Sequence, residues 1–254
     1  MDNEPRHPYF KAFAANRFQF DWKTGTLLIA LFSLVRFALV LHANVTRSYQ
    51  VVAVIFVLMV LLPVLLLTRA SRQKIGLVLP ARWWGVLLGS LLGILSCTGL
   101  YYVATFFFGF GEGNSLVYIS KTYAQLPSVL NDENRLIYFL IFSGPSLVFS
   151  PVGEELFYRG LIHECFAGSV GNRNATLVDS AAFSLVHLAH FGFVYAGGGW
   201  RFLSGPSLLW VASLFVTCLL FSVARSKSGS VVGAMVAHAS FNLTLNYFIF
   251  YRIL

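Results

Sequence analysis

Three short stretches hold the residues that could do chemistry. GEELFYR carries Glu154, Glu155 and Arg159, FSLVHLAH carries Phe183, His187 and His190, and HASFN carries His238 and Asn242. Glu155 and Arg159 are four apart, so on a helix they share a face and pair. Glu154 is turned by about 100° from Glu155, and Arg159 cannot serve both carboxylates equally. A carboxylate without a counter-charge in an apolar setting is poised to exchange a proton, which suits general acid–base work. Phe183 with His187, and His238 with Asn242, repeat the four-residue spacing and also lie on single helix faces. Each has a bland reading, the histidine as a packing residue and the His/Asn pair as interhelical glue. Together, a carboxylate, imidazoles and an amide form a set for activated water: a base to deprotonate it and donors for an oxyanion.

The elements that must position them are apolar helices. The chain has 254 residues, 57% hydrophobic and only 11% charged, with a mean hydropathy of +0.72. A soluble domain carries roughly a quarter charged residues, so this is an all-α, multi-pass membrane protein. Seven runs approach the ~20 residues needed to cross a bilayer: 26–44, 51–68, 83–108, 136–157, 176–195, 207–224 and 230–250. A re-entrant or interfacial segment within 109–135 would make eight. The net charge of +8 reads as topology and implies no nucleic-acid partner. Lys and Arg crowd into the N-terminal segment (Arg6, Lys11, Arg17, Lys23), 69–82, 160–175 and 225–229, which places those segments in the cytoplasm and the C-terminus outside. Residues 1–25 are too polar and aromatic for a cleavable signal, so the first helix is expected to stay as an anchor.

At 1.5 Å per residue, His187 lies about 16 Å and His238 about 12 Å along spans entering from the cytoplasm. Glu154 stands near the cytoplasmic end of its own span. All three are expected to meet in the cytoplasmic half of the bilayer. Cys97, Cys165 and Cys218 have no paired spacing and read as packing residues. Gly85, Gly89 and Gly93 form a small-xxx-small stripe for close helix packing. Arg36, alone in the first run, reads as a snorkelling or carbonyl-capping residue, and His190 has no assigned role.

EELFYR, FSLVH and HASFN resemble the EExxxR, FxxxH and HxxxN motifs of the CAAX prenyl endopeptidase and bacteriocin-processing family, whose best-known branch is the type II CAAX endopeptidase. The three motifs occur in family order over 154–242. The resemblance implies a glutamate-type intramembrane peptidase with a conical cavity open to the cytoplasmic side. Glu154 would be the base that activates water and His187 would help position it. His238 and Asn242 would form the oxyanion hole, with Glu155, Arg159 and Phe183 supporting the site. No cofactor is expected. A zinc alternative would draw its ligands from Glu154, His187 and His238.

The expected organisation is a cytoplasmic segment 1–25, accessory transmembrane helices over 26–135 and a catalytic core over 136–254. The expected substrate is a peptide or membrane-anchored protein, cut near its C-terminus or the membrane boundary, in a bacterial cytoplasmic membrane. Two competitors remain. A non-proteolytic member could act in bacteriocin immunity or as a scaffold for a partner. A transporter with buried protonation sites would be expected to show an inverted repeat, and none is visible.

Overall fold

The structure is a computed structural model and describes residues 9–15, 18–123, 126–127 and 130–254. Arg6 and Arg17 of the expected basic N-terminal segment, and 124–125 and 128–129 within the expected eighth segment, lie outside the described residues.

A short helix α1 (Ala12–Ala15) precedes α2 (Trp22–Thr46). Asp21 caps α2 by accepting from the Thr24 amide at 2.8 Å. Arg47, at φ 55°, turns the chain back into α3 (Gln50–Leu66). After α4 (Arg69–Lys74), α5 (Trp83–Phe108) crosses the molecule, and α6 (Ser115–Ser120) lies at its far end. Helix α7 (Asp132–Glu155) starts at Asn131, whose side chain accepts from the Asn134 amide. It runs without a break through a π-helical turn, Leu156–Ile162, into α8 (His163–Val186). The strands β1 (Phe193–Ala196) and β2 (Gly199–Phe202) pair antiparallel, and α9 (Ser204–Ser228) and α10 (Val231–Phe248) complete the bundle.

Three expectations change here. The span expected to end at 157, and the loop expected at 160–175, are instead parts of one helical run, Asp132–Ala189. Its break comes at Gly171, where φ 79° and ψ 159° are accessible to glycine and strained for other residues. The run expected at 176–195 stops at Ala189 and gives way to the hairpin, a small exception to the all-α class. Among the described residues of 109–131 the helix is α6, six residues long. At 1.5 Å per residue it spans about 9 Å, well short of a bilayer.

Among the described residues, four helical segments are long and apolar enough to cross a membrane: Trp22–Thr46, Trp83–Phe108, Asp132–Ala189 and Ser204–Ser228. Their outer surfaces carry large exposed apolar side chains such as Leu34, Leu87, Phe106 and Leu208, a surface suited to lipid.

The ends of the bundle form two faces. On one, the Lys11 amide donates to Leu66 O, the Val231 amide to Gly76 O and the Arg82 amide to Ser228 O. Arg225 and Lys74 both approach Glu164 on this face. The segments expected to be cytoplasmic therefore do gather at one end. On the opposite face, Asn44 donates to Ala189 O, the Tyr195 amide to Tyr118 Oη, and Arg201 to Glu112.

The glycine stripe on α5 seats α10. A Cβ on Gly89 would lie 2.7 Å from Gly233 O, and one on Gly93 would lie 2.0 Å from Ala237 O. Backbone meets backbone here, as the small-residue spacing predicted.

Candidate active site

Pro151 and Gly153 set the path of α7 just before the glutamates. Pro151 supplies no amide to the helix ladder. Gly153 lets α3 come close, since a Cβ there would lie 2.6 Å from Phe56 O. The π-turn that follows is a widened helix turn of the kind found at functional sites. It starts directly after Glu155 and carries Arg159.

Glu155 pairs with Arg159 as expected, Oε2 to Nε at 3.2 Å. Arg159 also lies 3.7 Å from Asp179, which in turn lies 3.0 Å from His163 Nδ1. Its guanidinium sits over the Phe183 ring, 4.6 Å from the centroid. The ring of Phe183 also stacks on that of His187.

Glu154 departs from expectation. It is not unpaired: Arg36 Nη1 lies 2.6 Å from its Oε1, with both side chains buried. It is also not among the residues that line the neighbouring cavity. The physical reason is that a buried carboxylate is costly without a counter-charge, and α2 supplies one from the first apolar run. Arg36 thus neither snorkels nor merely caps carbonyls. Its Nη2 also donates to His187 Nε2 at 3.1 Å and to His190 Nε2 at 3.5 Å. Because guanidinium only donates, His187 accepts through Nε2, and its Nδ1–H donates to Phe183 O at 2.6 Å. His187 therefore reaches Glu154 through Arg36, and His190, left without a role by the sequence, joins the same cluster.

His238 bridges the two glutamates. Its Nδ1 donates to Glu155 Oε1 at 2.8 Å, while Nε2 lies 3.9 Å from Glu154 Oε2. The Ser150 hydroxyl donates to Glu154 Oε2 and lies 3.4 Å from His238 Nε2. Asn242 donates one amide hydrogen to Ser146 O at 2.9 Å. The second hydrogen remains for another acceptor. Ser150 and Arg36 are the functional residues missed in sequence. Ser150 sits one helical turn before Glu154, the spacing that had flagged the other pairs.

These groups border a cavity of about 200 Å³ whose lining includes Arg36, Ser150, His187, His238 and Asn242. It shares Phe56, Tyr123, Ser146 and Ser150 with a larger crevice of about 940 Å³ between α3 and α7.

Among the described residues no three His, Cys, Asp or Glu side chains converge on a metal position. The Arg36 guanidinium also touches both Glu154 and His187, so a dication held by them would meet its charge.

No curated protein and no solved structure matches the chain. The family model that matches is described as type II CAAX prenyl endopeptidase Rce1-like, over residues 136–244. This stretch holds Glu154, Glu155, Arg159, Phe183, His187, His238 and Asn242, but not Arg36. Residues 136–244 are therefore similar to the Rce1-like type II CAAX prenyl endopeptidase domain, and they are carried on helices suited to a membrane.

Proposed function

We propose that the chain is a glutamate-type intramembrane endopeptidase of seven membrane passes. Cleavage would fall near the C-terminus or membrane boundary of a peptide or membrane-anchored protein. The successive helices alternate between the two faces, which supports seven passes beyond the four that length and apolarity identify. The observation that carries the activity is the 3.9 Å separation of Glu154 Oε2 and His238 Nε2 beside the cavity. Two atoms at that spacing can share one water within hydrogen-bond reach of both.

Glu154 takes a proton from this water, and the resulting hydroxide attacks the peptide carbonyl carbon. Arg36 fixes the carboxylate from the far side, so that Oε2 is the oxygen turned toward His238. Because Glu155 holds His238 at Nδ1–H, Nε2 donates to the oxyanion only as imidazolium, a charge balanced by the two carboxylates. Asn242 adds its free amide hydrogen. Glu154 then returns its proton to the leaving amine.

The test is a Glu154→Gln strain. Its membrane and secreted proteins should accumulate an uncleaved precursor, while the purified variant still folds. An identical set of processed proteins in both strains would refute the peptidase. A second reading, a non-proteolytic immunity or scaffold protein, draws on the Arg36–Glu154 pair and on the absence of Glu154 from the cavity lining. It predicts that a folded Glu154→Gln chain keeps full protective or partner-binding function.

A further inference from the structure

The large crevice is walled on one side by Tyr49, Val52, Ala53 and Phe56 and on the other by residues 141–150 of α7. Helices α3 and α7 touch at Phe56 and Gly153, where a Cβ would lie 2.6 Å from backbone. From that pinch the crevice runs away toward Thr46–Tyr49, Ile119–Tyr123 and His190. These residues belong to the face with Asn44–Ala189 and Tyr118–Tyr195, opposite the basic face. The expected cytoplasmic position of 69–82 and 225–229 and the expected opening toward the cytoplasm are thus incompatible.

The charge asymmetry decides between them. Nine described Lys and Arg belong to the segments of the basic face: 11, 23, 69, 72, 74, 82, 173, 225 and 227. Five, at 47, 121, 135, 201 and 252, belong to the other. Basic residues in short loops near span ends set orientation, so the mouth-bearing face is the translocated one. Among the described residues, Arg47 is the only Lys or Arg lining the crevice, and no acidic residue lines it.

We infer that the site opens to the non-cytoplasmic side and takes exported or membrane-anchored polypeptides presented there. This deepens the proposed peptidase and rests on it for the word substrate; the topology stands independently. Chains modified and retained in the cytoplasm, as a CAAX substrate is, would not reach this mouth.

The test is site-directed labelling of full-length protein in intact bacterial cells with a membrane-impermeant maleimide. The native cysteines are all buried, so the background is low. Ser48→Cys, at the mouth, should label in intact cells. Lys227→Cys, on the basic face, should label only after permeabilisation. The reverse pattern overturns the inference, as does labelling of neither variant in intact cells with both labelled after lysis. In a Glu154→Gln strain, precursor reachable by protease added outside intact cells supports the substrate class. Precursor protected until lysis overturns it. Absence of any precursor overturns the peptidase while leaving the labelling result in force.

Discussion

Arg36 Nη1 lies 2.6 Å from Glu154 Oε1, and neither side chain is more than 2% exposed. The counter-charge for the proposed base therefore comes from the first long helix, outside the stretch matched by the family model. Breaking a buried pair from one side costs about 3–5 kcal/mol, whereas replacing both partners is often neutral. Arg36→Met should lower the unfolding temperature in detergent, and Arg36→Met with Glu154→Gln should recover most of that loss. Arg36→Lys should fold yet process slowly, because one ammonium cannot present the planar fork that holds a carboxylate and an imidazole together. An unchanged unfolding temperature in Arg36→Met would show that the pair contributes nothing.

Glu154 and Arg159 should fail differently. Glu154→Gln keeps the side-chain shape, and Arg36 keeps His187 and His190 as partners. We expect a loss of about 10²–10⁴-fold in cleavage, the usual worth of a general base, with an unfolding temperature lowered by the uncompensated Arg36 charge but less than in Arg159→Ala. Arg159→Ala takes the guanidinium from both Glu155 and Asp179, which keep only their imidazole partners, so its larger effect should be on folding. Equal thermal losses in the two variants would make the motif structural.

What was legible in the sequence follows from range. Glu155–Arg159 sits within one helical turn, and the four-residue spacing is enough to pair them. The glycine stripe on α5 was legible for the same reason. Arg36 was not, because its partners Glu154 and His187 lie on helices that only the folded bundle brings together. The polar stretch around Gly171 read as a loop because composition does not distinguish an exposed helix with one glycine break from a turn. The π-turn left no mark in residue type. The crevice's direction also required the fold, since it depends on where α3 and α7 pinch and not on the spacing within either.

Glu155 should matter beyond its pairing with Arg159. It holds His238 at Nδ1, so Glu155→Gln keeps a hydrogen-bond acceptor but removes a charge that balances the imidazolium. The expected outcome is a lower kcat with KM little changed, the pattern of an interaction strengthened in the transition state. A change confined to KM would move Glu155 out of the site's chemistry.

Metal removal provides a further check. With the Arg36 guanidinium touching both Glu154 and His187, cleavage by purified protein should survive prolonged treatment with a zinc chelator. Loss of activity that returns on adding zinc would contradict this geometry.

The last prediction uses two glycines on one helix. A Cβ on Gly93 would lie 2.0 Å from Ala237 O, whereas one on Gly99 would meet nothing within 4 Å. Ala237 immediately precedes His238, so the clash acts on the part of α10 that presents the proposed oxyanion donor. Backbone cannot rotate aside as a side chain can, and α10 must shift. A misplacement near 1 Å costs about 10²-fold in a positioned reaction. Gly93→Ala should therefore lower both the unfolding temperature and cleavage. Gly99→Ala, which makes the same chemical change, should keep cleavage and hold or raise the unfolding temperature, since alanine is favoured over glycine in a helix by about 1 kcal/mol. Equal behaviour of the two variants would show that the α5–α10 approach does not set the position of His238.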